Sequence, residues 1–276
     1  MSEGFDKINL DDIDIPGRPD VVIKVMSVLE DEFCSTEKLE QVILEDPSIT
    51  ATLLKIANAP VYLTGRPIIT VADSILSIGM QNVVALVSLA AIANQCLNAN
   101  CDKDLIRHVV AVSAASSMLA GHAKKAGVKR EVATVAGLLH DIGKLIMNIS
   151  DLSAYNKARS HAKGKNIPFI EAEELLLGIN HCTIGGLLAE KWKLPDIYRQ
   201  VILHHHDENV KKAVLNDEEA LSYIVRIADK LALDAGAGTS LSGEKRLADL
   251  LSCLGISQSA CSETAACMTK MSRANI

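Results

Sequence analysis

The chain has 276 residues and a mass of 29.6 kDa, enough for one large domain or two modest ones. Hydrophobic residues make up 49% of it, which excludes a disordered chain with too little apolar area to offset its ordering entropy. Lys plus Arg number 28 against 34 Asp plus Glu, a formal net charge of -6, and aromatics are 3%, so neither a basic nucleic-acid-binding face nor a base-stacking platform is expected.

An apolar stretch from about Val83 to Ala93 contains Ser88 and falls short of the ~20 residues that a membrane span needs. Met1 to Asp12 is acidic and has no apolar segment of the secretory kind. The cysteines stand at 34, 96, 101, 182, 253, 261 and 267, an odd count with no CxxC pair. Reduced thiols in a reducing compartment follow, and with them a soluble cytoplasmic protein.

Apolar residues recur at three- and four-residue spacing nearly throughout, which predicts an all-α fold. Val21, Val22, Val25 and Leu29 line one face of a first helix. Ser35 or Thr36 caps a second, and Asp46-Pro47 opens a third, because proline suits a first helical turn whose N–H has no partner. Thr70 to Asp73 reads as a capping box for a helix ending at Gly79. An apolar helix from about Gln81 to Leu97 follows, then a polar boundary from Asn98 to Asp104. Leu105 to Ala126 and Lys129 to Met147 are the next helices, with a polar connection from Ser160 to Asn166. Pro168 to Leu177, His181 to Trp192, a helix opened by Pro195 and running into His204-His205-His206, Asp217 to Leu233 and two final segments complete the chain.

All eight histidines lie between positions 108 and 206. His140 and Asp141 are adjacent within the apolar run Gly137 to Lys144, where burying both without partners is costly. A metal ion satisfies both, since imidazole offers a nitrogen and a carboxylate can bridge two ions. A buried His–Asp hydrogen-bonded pair is the alternative. His108, among Val109, Val110, Ala111 and Val112, reads from the residues alone as a satisfied core histidine or a ligand. Lys144 shares a helical face with the doublet and reads from the residues as a lysine reaching solvent. Trp192 is expected in the core.

The run GLLHDIGKL resembles the HD motif of the HD phosphohydrolase superfamily, and the wider chain resembles its HDOD (HD-related output domain) branch. The resemblance rests on Ile15-Pro16 and Pro19, ILEDPSITATLLKIANAP from Ile43 to Pro60, the segment from Ile68 to Gly79, AGLLHDIGKL, HCTIGGLLAEKWKLP from His181, the histidine run, and IVRIADKLA, over about residues 10 to 255. It implies a multi-helix bundle of HD-domain type. An N-terminal helical subdomain over 1–100 and a metal-binding subdomain over 101–276 would together form one HDOD module.

Residue by residue, the resemblance implies metal ligation by His108, His140, Asp141 and Asp229. It adds His181 and two of the histidine triplet for a second ion, His204 and His205 in the family's count, with a slip to His205 and His206 left open. Mixed nitrogen and oxygen ligands favour iron, manganese or zinc over magnesium. Asp141 and Lys144 would carry catalysis if there is any; the resemblance implies that Lys144 helps to bind phosphate, with Arg107 and Arg226 as weaker candidates for that role. The HD-GYP branch places a glycine-tyrosine-proline motif soon after the histidine pair, whereas this chain has Asp207-Glu208-Asn209-Val210. Two readings follow. One is a signal-transduction module with a retained metal site that binds signalling proteins or a nucleotide-type ligand. The other is a metal-dependent phosphohydrolase acting on a nucleotide or cyclic dinucleotide.

Overall fold

A computed structural model describes residues 20–58, 66–98, 103–207, 210, 216–237 and 246–273. Among the described residues the chain forms fifteen α-helices and no strand. They are α1 (Asp20–Glu30), α2 (Thr36–Leu44), α3 (Pro47–Ala57), α4 (Val71–Ile78), α5 (Met80–Asn98), α6 (Lys103–His122), α7 (Arg130–Leu139), α8 (Ile142–Ser150), α9 (Leu152–Lys165), α10 (Phe169–Leu177), α11 (His181–Lys191), α12 (Asp196–His204), α13 (Asp217–Asp234), α14 (Leu247–Leu254) and α15 (Gln258–Arg273). Ile15, Pro16, Pro19 and Pro60 lie outside the described residues, as does the expected boundary at 100/101.

Local chemistry sets the helix ends. The Ser35 hydroxyl accepts the Lys38 N–H, and the Thr70 hydroxyl accepts the Asp73 N–H. Asp46 Oδ1 accepts the N–H groups of Ser48 and Ile49, so it caps the helix that Pro47 opens. Gly79, at φ 90°, ends α4 in a conformation that a side chain would strain.

One apolar core runs from Val22, Leu39 and Leu53 through Leu86 to Leu119, Leu139, Trp192 and Ile224. The helix α5 packs on α1, α3 and α4 on one side and on α7 and α8 on the other, which ties the two halves together. The Tyr198 hydroxyl on α12 donates to the Asn82 side chain on α5, a polar bond across the same junction. Arg130–Ser150 is apolar enough over its length to cross a bilayer, yet 89% of that window is buried inside the protein.

Two expectations need correction. Lys129 to Met147 is not one helix: α7 stops at Leu139, α8 starts at Ile142, and His140 and Asp141 form the joint. The segment Ser160 to Asn166 is not a polar connection. It is the end of α9, which buries only Tyr155, Ala158 and Ala162 and leaves the rest polar, so its periodicity is weak. An Asn166 in the left-handed region then ends it.

Candidate metal centre

Six segments converge on the joint between α7 and α8. His108 comes from α6, His140 and Asp141 from the joint, Lys144 from α8, Glu173 from α10, His181 and Cys182 from the first turn of α11, His205 and His206 from just after α12, and Asp229 from α13. Close approach of backbones makes this convergence feasible. A Cβ on Gly143 would sit 1.9 Å from the His181 carbonyl oxygen, so only glycine lets α11 lie against α8 at this point. Gly185 and Gly186 face Ile202 and Leu203 in the same manner, where Cβ atoms would approach to 2.6 and 2.3 Å. That seats the end of α12 against α11.

Asp141 is the hub. It is fully buried, as are His140 and His181, while His108 and His205 are 3% and 2% exposed. Its Oδ2 lies 3.3 Å from His108 Nε2, 3.3 Å from His140 Nε2 and 2.7 Å from Lys144 Nζ. Its Oδ1 lies 3.4 Å from His181 Nε2 and 3.5 Å from His205 Nε2. Each carboxylate oxygen thus faces its own pair of imidazoles. On the Oδ2 side, His108 Nε2 is also 3.1 Å from Asp229 Oδ1.

The far nitrogen of each of the four rings around Asp141 is tied to an acceptor. His108 Nδ1 is 2.9 Å from the Ala237 carbonyl, His140 Nδ1 is 2.8 Å from the Gly137 carbonyl, and His205 Nδ1 is 3.0 Å from the Ile202 carbonyl. His181 Nδ1 is 2.5 Å from Glu173 Oε2, which also accepts the His181 backbone N–H at 3.1 Å. With Nδ1 as the donor, each Nε2 turns toward Asp141. This is the orientation in which outer-shell acceptors hold metal-ligating histidines.

The electrostatics show how strongly the centre draws positive charge. Burial alone would lower the His108 imidazole, but Asp141 and Asp229 overcome it and raise the group to about 9. Burial opposes charge on His181 as well, and Glu173 and Cys182 raise it to about 9. His205 is likewise raised against burial, by Cys182 and Asp141. Burial keeps His140 below its ordinary value, and burial with the charges of His205 and His181 pushes His206 down. Burial opposes ionisation of Asp141 and Asp229, yet the surrounding cations hold both well below the usual carboxylate range.

These residues fit divalent ions. Two nitrogens held by one tetrahedral ion at about 2.0–2.1 Å lie roughly 3.4 Å apart. His181 Nε2 and His205 Nε2 are 3.4 Å apart. His140 Nε2 and Asp141 Oδ1 are buried with no hydrogen-bond partner, which is costly unless a cation faces them. Ligand atoms within 4.8 Å of one another form three groups: His108, His140 and Asp229; His140, Asp141 and His205; and His181, Cys182, His205 and His206.

Residues 15–208 match the HDOD domain family. The chain belongs to the HDOD family. A curated relative, an uncharacterized protein of Treponema pallidum (strain Nichols), is 22% identical over 196 residues, or 70% of this chain; the chain spans 38% of that relative's length. Among solved structures, an HDOD domain protein of unknown function from Geobacter sulfurreducens shares 23% identity and a TM-score of 0.66, covering 93% of each chain. A Shewanella amazonensis SB2B protein with a provisional phosphohydrolase name has 22% identity, TM-score 0.68 and coverage of 95% and 94%. A Marinobacter aquaeolei VT8 protein with a provisional signal-transduction name has 18% identity, TM-score 0.72 and coverage of 96% and 59%.

Within this HDOD chain the structure brings together His108, His140, Asp141, Lys144, His181, His205 and Asp229. It does not bring in His204. That side chain is 50% exposed and pairs with Asp207 at 2.9 Å. Instead α12 ends at His204, and the turn directs His205 and His206 toward His181, with ring centroids 5.4 and 5.1 Å away. Lys144 is 6% exposed and bound to Asp141, so it is not a lysine reaching solvent. Glu173 is a functional candidate that the sequence analysis passed over. Its signal was present: Phe169, Ala172, Glu173, Leu176 and Leu177 share one buried face, and an acid in the middle of an apolar stripe needs a partner.

Proposed function

We propose that this HDOD chain is a cytoplasmic signal-transduction module that retains a binuclear HD-type metal centre and acts as a regulatory output domain for signalling proteins or a nucleotide-type ligand. The observation that carries the reading is the Asp141 carboxylate, with Oδ2 facing His108 and His140 and Oδ1 facing His181 and His205. His108, His140, Asp141 and Asp229 would hold one ion. Asp141, His181, His205 and His206 would hold the other. Iron, manganese or zinc suits these donors better than magnesium.

Burial supports a regulatory use. The ligands are almost all shielded from solvent, and His206, half-buried, is the most open of them. A neighbouring cleft of about 360 Å³ is lined by Gln200, His204, Asp207, Asn216, Tyr223 and Arg226, among others, and by none of these ligands. Ions at the centre would lock six helical segments together, so metal occupancy would set the stability and shape of the module.

A second reading, phosphohydrolysis, is favoured by Lys144. Its ammonium lies 2.7 Å from Asp141 Oδ2 and 5.7 Å from the centre of the Phe169 ring, placed to bind a phosphate oxygen once Asp141 is otherwise neutralised. Bound divalent ions would supply Lewis-acid polarisation of a phosphoryl group and acidify a nearby water.

Elemental analysis of chelator-free protein, followed by a nucleotide and cyclic-dinucleotide hydrolysis panel with added iron, manganese or zinc, tests both. The regulatory reading expects stoichiometric metal without turnover. Turnover would move the assignment to hydrolase, and absence of metal under all loading conditions would overturn the centre itself.

A further inference from the structure

Two surface faces outside the metal centre carry exposed apolar side chains and opposite charge. The first lies on α2 and α4. The Ala72 N–H at the start of α4 donates to Glu40 Oε1 on α2 at 3.3 Å, and the Thr36 hydroxyl approaches Met80 Sδ at 3.9 Å, so the two helices lie side by side and antiparallel. Leu44 stands one turn from Glu40 and Leu76 one turn from Ala72, which places both on the same side of the pair, with Ile69 just before α4. Leu44, Leu76 and Ile69 are 52%, 69% and 78% exposed, and Glu37, Glu40 and Asp73 stand among them. The one base of these two helices, Lys38, is held by Asp31 at 2.7 Å. Single exposed apolar residues are ordinary, but three of them rimmed by acids mark a contact surface. The second face is the hairpin of α9 and α10. The helix α9 carries Lys157, Arg159, Lys163 and Lys165 and no acid, in a chain of net charge -6. A shallow groove of about 630 Å³ runs along it, lined by Ser153, Asn156, Lys157, Ser160, His161 and, from α10, Leu176. Leu152 and Leu175, next in sequence to Ser153 and Leu176, are 39% and 63% exposed. The exposed acids of α10, Glu171 and Glu174, do not line the groove, and Glu174 accepts from the Asn180 amide at 2.7 Å.

We propose that the acid-rimmed apolar face of α2 and α4 docks on the basic groove of α9 and α10 of a second copy of this chain. Leu44, Ile69 and Leu76 bring the apolar contact to the groove and to its end at Leu152 and Leu175. Glu37, Glu40 and Asp73 supply the charge opposite to Lys157 and Lys163. One chain presents both members of a complementary pair, which is why a second copy is the partner that these surfaces fit. The two faces differ, so the contact is head to tail, and association runs into a ring or an open row of copies. With few apolar side chains on each face, the contact belongs to the small, transient class of interfaces. Opposite charge orients such a contact and speeds its formation, and salt weakens it. None of these side chains is a proposed metal ligand, so the contact stands apart from the metal reading.

Sedimentation velocity of the full chain over a wide range of concentration, at low and at high salt, reads the contact. At low salt the wild type is expected to exceed the 29.6 kDa of one chain as concentration rises, and at high salt to return toward it. Leu44→Ser with Leu76→Ser breaks the first face, and Lys157→Glu with Lys163→Glu breaks the second. Each double variant alone is expected to stay at the mass of one chain. Exposed positions tolerate such changes, so circular dichroism and melting should match the wild type. The equimolar mixture is decisive. Each double variant keeps the face that the other lacks, so mixing should restore a complex of two chains and no more. A wild type that stays at one chain's mass throughout, a double variant that associates as the wild type does, or a mixture of two folded variants that remains monomeric overturns the proposal.

Discussion

Glu173 offers a separable test of the metal centre, because it touches a ligand and not the ligand cluster's middle. Its Oε2 accepts from His181 Nδ1 at 2.5 Å and from the His181 backbone at 3.1 Å, and the residue is fully buried. Glu173→Gln keeps the shape and an acceptor oxygen but removes the charge. Two quantities should respond. In metal-free protein at neutral pH, His181 loses its counter-ion, and breaking a buried pair from one side costs about 3–5 kcal/mol. At about 2–4 °C per kcal/mol for a chain of this class, the melting temperature falls by roughly 6 °C or more. In metal-loaded protein, loss of an outer-shell carboxylate weakens binding about 10- to 100-fold, or about 1.4–2.8 kcal/mol. Differential scanning calorimetry and competitive metal titration read the two effects. Glu174→Gln is the control: that exposed acid binds only the Asn180 amide at 2.7 Å, and its loss should stay within about 0.5 kcal/mol. If Glu173→Gln matches the control in both assays, Glu173 does not orient His181 and the outer-shell argument fails.

Gly143→Ala places a Cβ 1.9 Å from the His181 carbonyl and 2.8 Å from Gly185 N, both backbone atoms, so the cost should exceed the usual 1–3 kcal/mol of overpacking and metal binding should go with it; unaltered melting and metal content would mean that α8 and α11 can part freely. His204→Ala should leave metal content unchanged, whereas His206→Ala should lower it, as elemental analysis of the two purified variants would show; the reverse pattern would restore the register that the family resemblance implied. For chelated protein, His108 and His181 are raised from 6.5 to about 9, so their contribution is complete below about pH 6.5 and is lost as pH rises through 9. Thermal melts between pH 6 and 9.5 should therefore decline by an amount on the order of 3 kcal/mol per group, while metal-loaded protein gains stability over the same range because ligands must shed their protons. A flat profile in chelated protein would remove the paired-histidine account.

The helical fold was legible because its signals are local. Ser35, Asp46, Thr70 and Gly79 cap and stop helices by chemistry contained within three or four residues. The candidate site was legible where the residue types are costly to bury, as with His140 and Asp141. It was not legible where one residue of register decides. Successive helical side chains differ by about 100°, so whether His204 or His206 turns inward depends on where α12 ends, and His204 is its last residue. Glu173 was missed because its partner lies on the following helix, and no spacing rule joins positions 173 and 181 across a turn. The Ala237 carbonyl, which holds His108 across 129 positions, leaves no mark in the sequence.

The break between α7 and α8 is the clearest case of buried side-chain chemistry shaping local structure against propensity. Leu138, Leu139, Ile142, Leu145 and Ile146 would continue one buried helix, and neither glycine nor proline interrupts them at 140 or 141. In a continuous helix, His140 and Asp141 would diverge by about 100°. Instead Asp141 takes φ -101° and ψ 20°, ends up as the N-cap of α8 without a side-chain capping bond, and gives both carboxylate oxygens to the surrounding imidazoles and Lys144. The capping bond it forgoes is worth about 1 kcal/mol, which the interactions around Asp141 must exceed. A centre held together only by the protein's own protons would lose this compensation at alkaline pH, whereas the divalent ions proposed above would keep it, so the pH dependence of the joint at 140–141 separates the two.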